Sequence, residues 1–352
     1  MAYSTIIKPT AYFDTLLWTG NSSSDSGTQN ITGLNFQPDF MWNKTRSVSE
    51  NNILTDVLRG TNSFLRSNTT ALAYNPANCY QIPLTNGFTA QGDEGGEFNY
   101  TNYTYATWNW KGGTTSGIAT NGSTQITPSS YSFNQTSGFS IIRYTGIGGQ
   151  PKTIPHGLGV QPKMFIIKRI NGSGSWGVLP QQISTGHLYL DATTALGTVN
   201  PLSGGVLADT VNFSVSNSGD VNASGGTYVA YCFADVQGYS KMGSYGANAN
   251  VDGPFIYTGF SPAFVLLKQY NTSGSNWMLF DDKREGYNIE NYYLHPDTTA
   301  SEGTTDKLDL VSNGFKIRTT GGDVNSGDFI YMAFAKHPFV ANSGDSIPTT
   351  AR

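Results

Sequence analysis

The sequence predicts an all-β protein made of three tandem antiparallel β-sandwich domains, jelly-roll-like, from an internal repeat of about 100 residues. Three observations lead there. A set of landmarks recurs three times in one order. The segments between turn signals are short, rich in Val, Ile, Tyr, Phe and Trp, and bounded by Gly, Asn, Ser and Asp, as strands and tight turns require. The last segment of each repeat alternates apolar residues with period two, which gives a strand one core face.

Each repeat opens on an aromatic step into glycine: Trp18-Thr19-Gly20, Tyr144-Thr145-Gly146 and Tyr245-Gly246. A glycine turn follows, at Gly33-Leu34, Gly157-Leu158-Gly159 and Gly259-Phe260. Next comes a proline, an apolar run and a lysine: Pro38 to Lys44, Pro162 to Lys168 and Pro262 to Lys268. Downstream stand Thr69-Thr70-Ala71, Thr193-Thr194-Ala195 and Thr298-Thr299-Ala300, then Asn86-Gly87-Phe88, Val211-Asn212-Phe213 and Asn313-Gly314-Phe315. The closing strands run Tyr105 to Trp110, Tyr228 to Phe233 and Phe329 to Phe334. From proline to final aromatic the distances are 72, 71 and 72 residues, too regular for chance. One stretch has helical character, Asn52 to Leu58, but its counterpart in repeat 2 ends in Pro180, which a helix interior would not accept, so a strand is expected in all three.

The spacing between repeats sets the boundaries. Residues 1–13 form an N-terminal attachment segment outside the cores, 14–111 repeat 1, 138–237 repeat 2, 238–340 repeat 3, and 341–352 a polar tail. The excess between repeats 1 and 2 falls in residues 112–137, a Gly/Ser/Thr-rich linker.

Composition narrows the function. Charged residues make up 12% of the 352, about half the usual share, and the formal net charge is -4. Without a basic stripe the chain lacks the field that holds a phosphate backbone, so nucleic acid is not an expected partner. No apolar stretch is long enough to span a membrane, and the start has neither the basic region nor the apolar run of a signal peptide. Cys79 and Cys232 are read as reduced.

Catalytic and metal constellations are not expected. His156, His187, His295 and His337 stand singly in unlike settings, and no cofactor is implied. The acidic spots Asp93-Glu94, Asp220-Val221-Asn222 and Asp323-Val324-Asn325 fit tight turns better than calcium, which needs six to eight converging oxygens. Binding residues are sought among aromatics set in amide-rich loops, Tyr100 and Tyr103 in repeat 1 and Tyr287, Tyr292 and Tyr293 in repeat 3. Repeat 3 carries five extra residues around Asp281, Asp282 and Arg284, the densest charge run of the chain. As a projecting loop it would stack the tyrosines on a ligand ring and orient it by charge-assisted hydrogen bonds. The alternative is an Arg–Asp pair bracing a neighbouring domain, or charges that only solvate a hairpin tip.

The motif order, with Tyr228 to Ala234 followed by Gly238-Tyr239-Ser240-Lys241 and the run Asp252 to Phe260, resembles tandem-repeat tail-fibre and virion structural proteins of marine, especially cyanobacterial, bacteriophages. The resemblance covers about residues 14 to 340, and repeat 1 departs most, with Trp108-Asn109-Trp110-Lys111. It implies a non-enzymatic virion protein, a tail fibre or adhesin contacting host-surface polysaccharide. Other virion proteins would be its partners, in a homotrimer. A capsid decoration protein is the second expectation. A glycan depolymerase ranks lower, for want of paired carboxylates outside turns.

Overall fold

In a computed structural model of the chain, the structure describes residues 4–23, 27–92, 95–149, 151–183, 186–197 and 208–338, apart from the side chain of Glu290. The protein is all-β, arranged in antiparallel sheets. Repeat 1 supplies β1 (Phe13–Thr19), β2 (Thr28–Thr32), β3 (Phe40–Thr45), β4 (Asn52–Asp56), β5 (Leu65–Arg66), β6 (Tyr80–Leu84), β7 (Gly87–Gln91) and β8 (Thr104–Trp110). Repeat 2 and the segment before it supply β9 (Ser130–Asn134), β10 (Phe139–Thr145), β11 (Lys152–Pro155), β12 (Met164–Arg169), β13 (Gly177–Pro180), β14 (Leu188–Tyr189), β15 (Asn212–Val215), the single-turn helix α1 (Gly219–Asn222) and β16 (Thr227–Phe233). Repeat 3 supplies β17 (Ser240–Gly246), β18 (Phe255–Tyr257), β19 (Phe260–Gln269), β20 (Met278–Asp281), β21 (Glu290–Tyr293), β22 (Gly303–Val311), β23 (Gly314–Ile317), α2 (Gly322–Asn325) and β24 (Asp328–Pro338).

The same large sheet is built three times, in the orders β1-β8-β3-β4, β10-β16-β12-β13 and β17-β24-β19-β20. Beside each lies a smaller sheet, β2-β7-β6, β11-β15 and β18-β23-β22-β21. Register makes the copies equivalent residue by residue, since Phe40 faces Trp110, Met164 faces Phe233 and Phe264 faces Phe334. Large and small sheets enclose separate apolar clusters: Trp18, Ile31, Met41 and Phe88 in repeat 1, Tyr144, Ile154, Phe165 and Phe213 in repeat 2, and Tyr245, Ile256, Val265 and Phe315 in repeat 3.

A fourth cluster joins all three copies. The other faces of the large sheets meet at a shared centre, where Trp110, Phe233 and Phe334 converge with ring centroids 6.2, 5.6 and 6.0 Å apart. The closing strands therefore bury both faces. Trp108, Tyr231 and Met332 point to the centre, while Tyr105, Ala230 and Ala333 point into the individual sandwiches.

The aromatic–glycine step has a local cause. A Cβ on Gly20 would lie 2.1 Å from the Tyr100 carbonyl oxygen, and one on Gly146 would lie 2.5 Å from that of Ala223, so only glycine lets these strands end where they do. The preceding tyrosines pin the one-turn helices, Tyr144 donating to the Val221 carbonyl at 2.6 Å and Tyr245 to that of Val324 at 2.8 Å.

Two expected boundaries are corrected. The N-terminal segment does not lie outside the cores: Ile6 is buried in the shared centre, and Phe13 starts β1 and stacks on Phe334 at 5.2 Å. Ile6 precedes the first landmark, and the position of Phe13, opposite Trp110, is held by Phe139 in repeat 2 but by Ser240 in repeat 3, so the aromatic signal there recurs only twice. Residues 112–137 are not only a linker, because β9 pairs along β10 and Ile126 is buried in the second sandwich. The Gly/Ser/Thr composition hid the alternating Tyr131 and Phe133. The tail 341–352 lies outside the described residues.

Candidate functional site

The predicted charge run is not a projecting tip. Asp281 ends β20 with its side chain fully buried, and Arg284 folds back on it, Nε to Oδ2 at 2.6 Å. Asp281 Oδ1 accepts the backbone N–H groups of Lys283 and Arg284, both at 3.0 Å, and the guanidinium also donates to Glu302 at 3.1 Å and to the Leu279 carbonyl at 2.9 Å. The indole N–H of Trp108, in repeat 1, donates to Asp281 Oδ2 at 2.9 Å. Asp282 is buried against Lys336 at 2.6 Å. Asp281 and Arg284 thus brace a neighbouring repeat, because the i,i+3 spacing lets the arginine neutralise the aspartate inside the protein rather than in water.

The tyrosines disperse. Tyr287 is exposed. Tyr292 lies beneath Arg46, 6.0 Å from its ring, and Tyr293 packs on His295 at 5.3 Å. Tyr100 and Tyr103 pair with each other in repeat 1, centroids 4.7 Å apart. The eight residues do not form one exposed site.

Sequence reading missed that this ionic latch occurs twice. In repeat 1, Asp56 accepts from Arg59 Nε at 2.5 Å and from the N–H groups of Leu58 and Arg59, and the Tyr231 hydroxyl of repeat 2 donates to it at 2.7 Å. Asp56 and Asp281 hold the same register position, opposite Phe40 and Phe264, as do Tyr231 and Trp108 on their strands. The shared spacing Asp56-x-x-Arg59 and Asp281-x-x-Arg284 was the available signal. In repeat 2 the aspartate's position holds Pro180.

The landmark motifs line the seams between repeats. Lys44, Lys168 and Lys268 are fully buried, and burial pulls each ammonium down to about 8. Each donates to a carbonyl of its own hairpin, Glu50, Gly174 and Ser275 respectively. Lys44 also reaches the Thr299 carbonyl at 2.9 Å, and Lys168 that of Thr69 at 3.5 Å, so the Thr-Thr-Ala landmark receives the lysine of the adjoining repeat. Beside each lysine a donor crosses the seam: the Trp176 indole to the Arg66 carbonyl at 2.9 Å, the Trp277 indole to that of Tyr189 at 2.8 Å, and Asn52 to that of Thr298 at 3.1 Å. Backbone bonds repeat the pattern, Ala73 N–H to Ile170 at 3.2 Å, Leu196 N–H to Tyr270 at 2.8 Å and Glu302 N–H to Arg46 at 2.9 Å. The third seam joins repeat 3 to repeat 1, so the ring closes.

Repeat 1 differs inside its sandwich. A buried polar chain runs from the Trp18 indole to Thr107 (2.9 Å), Thr107 to Asn43 (2.7 Å), Asn43 to Gln81 (2.8 Å), and is met at Gln81 by Thr55 (2.7 Å). Where repeat 1 has Asn43 and Thr55, the paired positions of repeats 2 and 3 hold Ile167 and Leu179, and Leu267 and Phe280. The smaller threonine leaves a cavity of about 110 Å³ lined by Met41, Thr55, Val57, Gly60, Gln81 and Pro83, among others. The one carboxylate on its wall, Asp56, is taken by Arg59, and the Thr55 hydroxyl and Gln81 amide are engaged in the polar chain.

Other titratable groups serve the fold. His156 accepts the Leu158 N–H at 3.1 Å, and burial pulls it down to about 4. Asp220 accepts the Ser175 N–H at 2.9 Å, and Asp323 pairs with Lys307 at 2.5 Å; Asp93 and Glu94 lie outside the described residues. Among the described residues no group of three or more His, Cys, Asp or Glu could hold a metal ion, and no helix is long and apolar enough to cross a membrane. Cys79 and Cys232 are buried in different clusters.

Residues 8–338 match the model of one family, described as Domain of unknown function (DUF7483). No curated protein and no solved structure matches the chain.

Proposed function

The chain belongs to the DUF7483 family, and we propose that it is a non-enzymatic structural protein of a bacteriophage particle, a tail fibre or adhesin that contacts host-surface glycan. In this reading the fold is three tandem β-sandwich domains, jelly-roll-like, fused into one block. The observation that carries it is the closed ring of seams, in which the landmark lysines, Thr-Thr-Ala segments and closing aromatics are spent on holding three copies together. Residues kept for such contacts build a rigid scaffold whose outer strands and loops are free to meet partners. The threefold arrangement that fibres ordinarily build from three chains is here internal, so one chain can occupy such a position by itself. The carboxylates of the repeat 3–repeat 1 seam are paired with Arg284, Arg46 and Lys336 in the interior, which weighs against a depolymerase.

Immunogold electron microscopy of intact particles tests the reading. Label at the distal tail supports attachment, and label over the capsid lattice supports the second reading, decoration. Label on neither, with the protein left in the lysate, overturns both.

A further inference from the structure

Because the three repeats are copies of one scaffold, positions where one copy departs from the others isolate what that copy adds. The small sheet turns one face to its own core, and the pairs Ile31–Phe88, Ile154–Phe213 and Ile256–Phe315 fix the equivalence. On the opposite face, the two strands common to all three copies carry Asn30, Thr32, Thr89 and Gln91 in repeat 1, where the third strand adds Ile82, and Thr153, Pro155, Ser214 and Ser216 in repeat 2. Repeat 3 carries Phe255, Tyr257, Lys316 and Arg318 there.

A solvent-facing sheet is served by Thr, Ser and Asn, yet Phe255 and Tyr257 stand 47% and 53% exposed. Lysines flank them. Lys241 Nζ donates to the Tyr257 carbonyl at 3.0 Å and lies 5.5 Å from its ring. Lys316, directly across from Phe255, is held by the Gly253 carbonyl at 2.8 Å and by Asp252 at 2.7 Å. In repeat 2 the outer edge of β11 is covered, Gln125 and Ile126 donating to the Thr153 carbonyl at 3.1 and 3.0 Å; β18 pairs with β23 and with no second strand among the described residues.

We propose that this face of repeat 3 binds an anionic polysaccharide. Phe255 and Tyr257, two residues apart on one strand, stand about 6 to 7 Å from one another, so that neighbouring sugar rings can each lie on an aromatic face. Lys241, Lys316 and Arg318 supply the charge that meets carboxylate or sulfate groups. The largely exposed Asp252 accepts hydrogen bonds from sugar hydroxyls. This deepens the attachment reading and rests on it for the ligand's source, but the site itself is tested on the purified chain.

The test is titration of the full chain with alginate oligosaccharides, neutral dextran and single-stranded DNA. The expected result is binding to alginate, weakened by salt, with none to dextran. The variant Phe255→Asn, Tyr257→Thr, Lys316→Thr installs three residues of the repeat 1 face while keeping Arg318 on the buried Asp309, and should bind at least about tenfold more weakly while melting within about 2 °C of the parent. The reciprocal variant Asn30→Phe, Thr32→Tyr, Thr89→Lys, Gln91→Arg should add a second site to the stoichiometry. Unchanged binding by the first variant, tighter binding of DNA than of alginate, self-association abolished by the first variant, or no alginate binding by the parent each overturns the site. Particle labelling decides the virion reading independently of all four.

Discussion

The Tyr231 hydroxyl of repeat 2 donates to the buried carboxylate of Asp56 in repeat 1 at 2.7 Å, so a charge belonging to one repeat is completed by its neighbour. Tyr231→Phe leaves Asp56 with Arg59 and two backbone N–H groups and should cost about 1 to 2 kcal/mol. Asp56→Ala strands the buried Arg59 guanidinium and should cost about 3 to 5 kcal/mol. Urea midpoints of the two variants check the order.

The shared centre makes the three repeats one cooperative unit. Phe233→Ala or Phe334→Ala removes a ring that touches the other two repeats and should cost about 3 to 5 kcal/mol. Calorimetry should show one transition shifted as a whole. Independent unfolding of one repeat in either variant would contradict the shared core.

Asp297 offers a stabilising change. Its Oδ1 accepts the Trp277 N–H at 3.2 Å, as Asp191 accepts from Trp176 at 2.8 Å, and in repeat 1 Asn68 does the same for Asn52 at 3.1 Å. Burial pushes the Asp297 carboxyl up to about 7. A carboxyl raised in the folded state contributes stability below its unfolded value, and that stability is lost as pH rises through 7. Asn keeps the accepted bond without the charge, so Asp297→Asn should be near neutral at pH 4 and stabilising by about 2 kcal/mol at pH 8. Melting temperatures at the two pH values decide it.

The three buried lysines predict the opposite trend at higher pH. Each releases its proton near 8 in the folded protein but near 10.5 when unfolded, so the unfolded chain holds more protons between these values and stability rises with pH. The rise should be clearest from pH 8 to 9, because Cys232, pushed by burial up to about 12, works against it above its ordinary 9. Lys168→Met should flatten the profile measured by thermal melts.

The strands and their threefold recurrence were legible because period-two alternation and turn residues are local signals. The same landmarks did not disclose their partners. That Lys44 reaches Thr299 depends on repeat 3 meeting repeat 1, a relation no spacing along the chain expresses. The run Asp281 to Arg284 reads as exposed because charge ordinarily means solvent, and only the Trp108 indole and the Glu302 carboxylate show it turned inward. Ile6 lies ahead of the first landmark, and the position of Phe13 is aromatic again only in repeat 2, as Phe139, repeat 3 having Ser240 there.

The Glu302–Arg46 backbone bond returns the last repeat to the first. A linear array of repeats leaves its outermost units with one neighbour each, so it frays from the ends and tolerates gain or loss of a unit. Here no unit is outermost. Copy number is thereby locked: a fourth repeat would separate the partners of the third seam, and deletion of one would leave two unmatched apolar walls. Drift during replication could exchange loops and outer faces between the units, but not their count.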